Sequence, residues 1–165
     1  MFKFIKSLFF FMLLLGAVNN FLIFIGQIPD EKAVTGDELP DSAKLALIES
    51  GIISEDEKIE YYYSEGILSF VDYGNLFTDI RVISYEVDQE SDSRYVYYAH
   101  YGDISDIKFN KSDSLLDDSV IEVYENGDLS FFLVVSNKGN LDEAFYKKLV
   151  QVWKSKKEES KWLRT

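Results

Sequence analysis

No cysteine occurs anywhere in the 165 residues. That removes disulfides, thiol nucleophiles and thiolate metal sites together, and it says little about redox compartment. The only histidine is His100, so neither a histidine-based triad nor a multi-histidine metal site can be built. Phosphate-cradling glycine loops of the Walker or dinucleotide type are also missing. Asp88, Glu90 and Asp92 alternate like the start of a calcium loop, but Ser93 stands where glycine belongs and Ala99 where the closing glutamate belongs. Asp113, Asp117 and Asp118 read as a solvated loop. Carboxylates are so common that no pair stands out for glycoside hydrolysis. The chain is therefore expected to be non-catalytic, with no cofactor and no metal.

Positive charge is scarce where it would matter for polyanions. Residues 30–140 hold 8 basic against 25 acidic groups, a local charge of −17 within an overall −12. Such a body repels nucleic acid and anionic headgroups. It favours a basic partner, or simply keeps the protein solvated. From residue 141 onward the balance reverses, with seven basic and four acidic residues.

What is present begins with an apolar N-terminus. Lys3 and Lys6 precede a run from Leu8 to Ile28 whose strongly polar members are Asn19, Asn20 and Gln27. That is about the length of a bilayer-spanning helix, and it is apolar on all faces. A cleaved signal peptide with its apolar region at residues 8–18 is the alternative, although it lacks a clear small-x-small cleavage site. With lysines on one flank and Asp30 and Glu31 on the other, the N-terminus is expected in the cytoplasm and the domain across the cell membrane. Residues 29–40 read as a polar linker. A short helix follows over 41–50, with Leu45 and Ile48 on one face and Gly51 at its stop.

Residues 58–87 organise the rest and read as strand, turn, strand, turn, strand. Tyr61, Tyr62 and Tyr63 suit a pleated surface. Turns are expected at Glu65-Gly66 and at Gly74-Asn75. Further strands are read at 94–101, 104–110, 119–125 and 128–136, with Asn126-Gly127 as the clearest hairpin signal. Tyr95, Tyr97, Tyr98 and Tyr101 join the earlier tyrosines in alternating across strand faces, so part of the set is core and part an exposed aromatic patch. From Leu141 the spacing turns helical: Leu141, Phe145, Leu149 and Val152 share a face, Asn140 reads as the N-cap and Glu143 as its capping-box partner. The fold class is mainly β (α+β): an N-terminal transmembrane helix, then about seven antiparallel strands and a C-terminal helix that can cover an open end of a sheet. The segments are 1–28 as anchor or signal, 29–51 as linker and short helix, 52–157 as the body, and 158–165 as a tail.

Leu76-Phe77-Thr78-Asp79-Ile80-Arg81-Val82-Ile83 resembles the pattern of leucine, one residue, threonine, two residues, arginine and two aliphatics in bacterial pleckstrin-homology-like (PH-like) domains. Tyr101-Gly102-Asp103-Ile104-Ser105-Asp106-Ile107 is similar to the strand that follows it in that family. The likeness spans residues 52–153. It implies a PH-like barrel of about seven antiparallel strands, two nearly orthogonal sheets closed at one end by the C-terminal α-helix, and a binding module rather than an enzyme. Thr78, Asp79 and Arg81 are the family-motif residues, expected to be structural: Thr78 and Asp79 close a turn, and Arg81 pairs with Asp79 or caps turn carbonyls. Phosphoinositide binding in the family uses basic residues around the first hairpin. Here that turn carries Glu65, and no Lys or Arg intervenes between Lys58 and Arg81, which argues against that ligand. The expected function is a membrane-anchored module that docks another protein, with the bilayer as partner of the N-terminal helix and no nucleic-acid partner. The alternatives are an immunity or inhibitor protein that sets its acidic face against a basic toxin, or a lipid sensor.

Overall fold

The computed structural model describes residues 2–24, 33–64, 69–88, 91, 93–114 and 117–162. Helix α1 spans Phe2–Phe24, and strand β1 (Ala33–Thr35) and helix α2 (Asp41–Glu49) follow. Strands β2 (Ile59–Tyr63), β3 (Tyr73–Thr78), β4 (Arg81–Asp88) and β5 (Ser93–His100) complete a five-stranded antiparallel sheet in the order β1-β2-β3-β4-β5. Strands β6 (Ile104–Asn110), β7 (Ser119–Glu125) and β8 (Asp128–Val135) form a second sheet, and α3 (Leu141–Trp162) ends the described chain.

The first sheet is covered on both faces. One face carries Tyr63, Phe77, Val82 and Ala99, which pack with Ile121, Val123, Leu133 and Val135 of the second sheet and with Phe145 and Leu149 of α3. Phe145 meets the Phe77 ring edge-on at 5.3 Å. The other face carries Tyr62, Leu76, Ile83 and Tyr85, and here Ala43 and Leu47 of α2, with Ile52 and Ile53, fill the cover. The hydroxyls of Tyr62 and Tyr85 lie 3.2 Å apart and meet at the Phe70 carbonyl oxygen. Burial pushes the Tyr62 phenol up to about 12 and Tyr85 well above its ordinary range.

Several expectations need correction. Residues 33–51 are not a linker with a helix attached. β1 pairs with β2, and α2 roofs the sheet through Ala43 and Leu47, while Leu45 points to solvent. The predicted turn at Gly74-Asn75 is strand interior, because the Tyr85 hydroxyl and ring lie where a side chain on residue 74 would stand. The actual reversal falls at Asp79-Ile80. The Glu65-Gly66 turn lies outside the described residues. The barrel is not closed: two separate sheets of five and three strands meet through side chains. The Asn75 amide reaches the Val134 carbonyl at 2.6 Å where a closed barrel would have ladder bonds. Asn140 adopts φ 60°, and Glu143 turns away from a capping box to Lys111 and Lys147, whose hydrogen bonds hold its carboxyl down to about 2. α3 runs on through part of the expected tail, to Trp162. Among the described residues no helix is long and apolar enough to cross a membrane. α1 as described is not shown to be the span expected of residues 1–28, and the end of that apolar run, residues 25–28, lies outside the described residues.

Two signals held. Gly51 stops α2 with φ 72°, its N–H bonded to the Ile48 carbonyl and the Ile52 N–H to that of Leu47. Asn126 and Gly127, at φ 54° and 93°, make the β7–β8 hairpin.

Leu47 is fully buried, so Leu47→Ala should lower the unfolding free energy by about 2–4 kcal/mol in a urea titration. A residue on a mere linker would cost less than about 0.5 kcal/mol.

Candidate functional site

The motif residues gather at the β3–β4 turn. The Thr78 hydroxyl accepts from the N–H groups of Ile80 and Arg81, both at 3.2 Å, which closes the turn. Asp79 does not meet Arg81. It accepts from the Lys58 N–H at 3.0 Å and returns its own N–H to the Lys58 carbonyl at 2.9 Å, tying the turn to the entrance of β2. Arg81 pairs instead with Glu57, Nε to Oε2 at 3.0 Å and Nη2 to Oε1 at 2.5 Å, and also reaches the Ile52 carbonyl at 3.3 Å. Its guanidinium lies 4.8 Å over the Tyr98 ring. The Tyr101 hydroxyl donates to the Thr78 carbonyl at 2.6 Å. Glu57, only 2 % exposed in its side chain, feels two opposing effects. Burial raises its pKa, but the Arg81 hydrogen bonds, the Ser54 N–H and the Arg81 charge outweigh burial and hold the carboxyl below its ordinary range. These bonds engage Thr78 Oγ1, Asp79 Oδ1 and the Arg81 Nε and Nη2 atoms with the fold, so the cluster locks elements together.

A second place is built differently. On the face of the first sheet that meets the second, Phe77, Val82 and Ala99 form one cross-strand row near α3. The next row along the strands is Asn75, Ser84 and Tyr97, and the third is Tyr73, Glu86 and Tyr95. The same face thus changes from sealed and apolar to polar and aromatic as the second sheet turns away. Between these outer rows and β8 lies a groove of about 370 Å³, lined by Tyr73, Ser84, Glu86, Tyr97, Phe131 and Phe132, with Ser130 and Val134 beside them. Tyr97 stacks on Phe131 at 6.5 Å. Tyr97 is 44 % exposed and Phe132 47 %, and Tyr95, exposed in the next row on the same face, extends the aromatic surface. Glu86 is the one charged residue of the lining, and no described residue pairs with it.

The tyrosine alternation pointed to part of this site. Tyr62, Tyr63 and Tyr101 are buried, whereas Tyr95, Tyr97 and Tyr98 are exposed. Glu86, Phe131 and Phe132 carried no local signal, because only the meeting of β4 and β8 sets them side by side. His100 is exposed at the end of β5, its ring edge-on to Tyr98 at 5.7 Å. Glu90 and Asp92 lie outside the described residues, and among those described no three carboxylate or imidazole groups converge as a metal site.

No protein-family model matches the chain, and no curated protein matches it. Solved structures do. A DUF1696-family protein with a pleckstrin-homology domain from Shewanella loihica superposes with a TM-score of 0.51 at 15 % identity, over 75 % of this chain and 99 % of its own. The body has the fold of bacterial PH-like domains. Two further structures are similar at lower scores. A pleckstrin homology domain from Shewanella amazonensis has a TM-score of 0.49 at 17 % identity, over 67 % of this chain and 86 % of its own. A PH-domain-containing protein from Exiguobacterium sibiricum has a TM-score of 0.48 at 20 % identity, over 81 % of this chain and 67 % of its own. In this PH-like fold the β1–α2 layer lies over the first sheet on the face turned away from the groove.

Arg81→Met leaves Glu57 buried without its partner and should cost about 3–5 kcal/mol of stability, most of it recovered by adding Glu57→Leu. Because the folded carboxyl titrates below its ordinary value of 4.5, the pair's contribution is complete at neutral pH. It fades as the pH falls below that value and through the folded pKa. Urea titrations at neutral and acid pH should show the gap between wild type and Arg81→Met narrowing in acid.

Proposed function

We propose that this chain is a non-catalytic docking module, held at a membrane by its N-terminal segment, that binds another protein through the groove between β4, β5 and β8. The carrying observation is the groove itself, with an aromatic rim at Tyr95, Tyr97 and Phe132 and an unpaired carboxylate at Glu86. Exposed aromatics with a polar handle are what protein-binding surfaces use as anchors. Support for the non-catalytic reading comes from the Thr78, Asp79 and Arg81 cluster, each of whose side chains bonds to the fold. Support for the membrane comes from α1, where Phe9 to Leu15 are seven consecutive large apolar side chains, all exposed. Seven residues go right round a helix, so no single protein face could cover them, and an apolar surrounding is the physical match. In this reading Lys3 and Lys6, before the run, favour an N-terminus in the cytoplasm with the domain beyond the membrane.

An inhibitor of a basic protein is the second reading, favoured by the −17 carried by residues 30–140. It uses the same groove and differs only in what the partner does once bound.

A photoreactive amino acid at position 97 should crosslink to one discrete protein in cells, while the same group at position 45, exposed on α2, should not. Tyr95→Ala with Phe132→Ala should abolish the crosslink and leave the melting curve within about 0.5 kcal/mol of wild type. Equal crosslinking from both positions would defeat the reading. A reporter fused after residue 165 should register on the far side of the membrane.

A further inference from the structure

The two sheets present four edges, and three of them are guarded. β1 is only three residues long. β6 carries Asp106 and Lys108 and lies beside α3, where Phe109 stacks on Tyr146 at 4.8 Å and Lys157 reaches the Ile104 carbonyl at 3.4 Å. β8 is approached by the Asn75 amide through the Val134 carbonyl. Among the described residues β5 has none of these protections. It runs for eight residues, pairs only with β4, and keeps that register without a bulge from Arg81↔His100 to Asp88↔Ser93. It has no proline and no lysine, and its one permanently charged side chain is Arg94 near its start. Strand edges normally carry a bulge, a proline or an inward charge, because a bare ladder of N–H and C=O groups recruits another strand.

We infer that the partner binds by adding an extended, basic strand to the free edge of β5. This rests on the docking reading above and specifies its mode and its chemistry. A strand beside β5 sets alternate side chains next to Tyr95 and Tyr97, on the face that opens into the groove. Glu86 sits opposite Tyr95 on β4, so it is two strand spacings, about 10 Å, from the added strand. A lysine or arginine spans that gap together with the glutamate side chain, its aliphatic stem lying across the Tyr95 ring. Charge selects among occupants. A second copy of the chain would bring another body of −17 against the first, whereas a basic segment meets both that field and the unpaired Glu86. Main-chain bonds supply the affinity and the groove supplies the side-chain preference.

The test uses the full chain in uncharged detergent micelles and three decapeptides. One alternates lysine and valine, one alternates glutamate and valine, and one is the lysine peptide N-methylated at every second residue. The lysine peptide should bind and slow amide exchange in β5, while the glutamate and N-methylated peptides should not. Glu86→Gln should weaken the lysine peptide by about fivefold to tenfold, an effect near 1 kcal/mol. Equal binding of the N-methylated peptide would overturn strand addition while leaving the groove as a docking site. Equal binding of the glutamate peptide would overturn the charge selection. No binding by any peptide at about 1 mM would overturn the inference. Failure of the position-97 crosslink is a separate result, and it removes the docking reading itself.

Discussion

A single guanidinium ties this molecule's layers together. Arg81 starts β4, grips Glu57 before β2, and caps the Ile52 carbonyl just after α2. Those three bonds fasten the N-terminal roof to the sheet at the point where Thr78 and Asp79 turn the chain. The charge is nearly out of water, so it must stay paired, and its pairing holds the loop that places Ile52 and Ile53 in the core. The motif that resembles a PH-like signature therefore explains how this sheet gains a second cover.

That second cover changes what the rest of the sheet can do. With α2 over one face and α3 with the second sheet over part of the other, what remains open is the far end of the inner face and the β5 edge. Both lie on the side of Tyr95 and Tyr97. The open surface is aromatic and carries Glu86, an acid with no partner among the described residues, while Arg81, the one basic group of the motif, is engaged inside the fold. In the proposed docking reading such a surface suits a basic protein segment better than a phosphate group, in keeping with the acidic charge of residues 30–140.

Much of the β architecture was legible along the chain. The last four strands, the Asn126-Gly127 hairpin and the C-terminal helix follow from alternation, a turn that demands positive φ, and a helical apolar stripe. The β3 region was misread because Gly74-Asn75 looks like a turn in isolation. Glycine is there to admit the Tyr85 ring, and asparagine to reach β8 from a buried position. Likewise β1 is three residues inside a segment, 29–40, that reads as a polar linker, and only its partner β2 makes it a strand.

The amino-acid sequence by itself determined the β-rich class, the apolar leading segment, the acidic charge and the absence of cysteine and of a second histidine, since these depend on composition and on period along the chain. Tertiary structure decided which residue Arg81 pairs with, which tyrosines reach the surface and which sheet edge stays bare. Those outcomes arise from contacts between strands far apart in the chain, where Glu57 meets Arg81 and Phe131 meets Tyr97. No local pattern records such a meeting, because each partner's own segment would look the same without it.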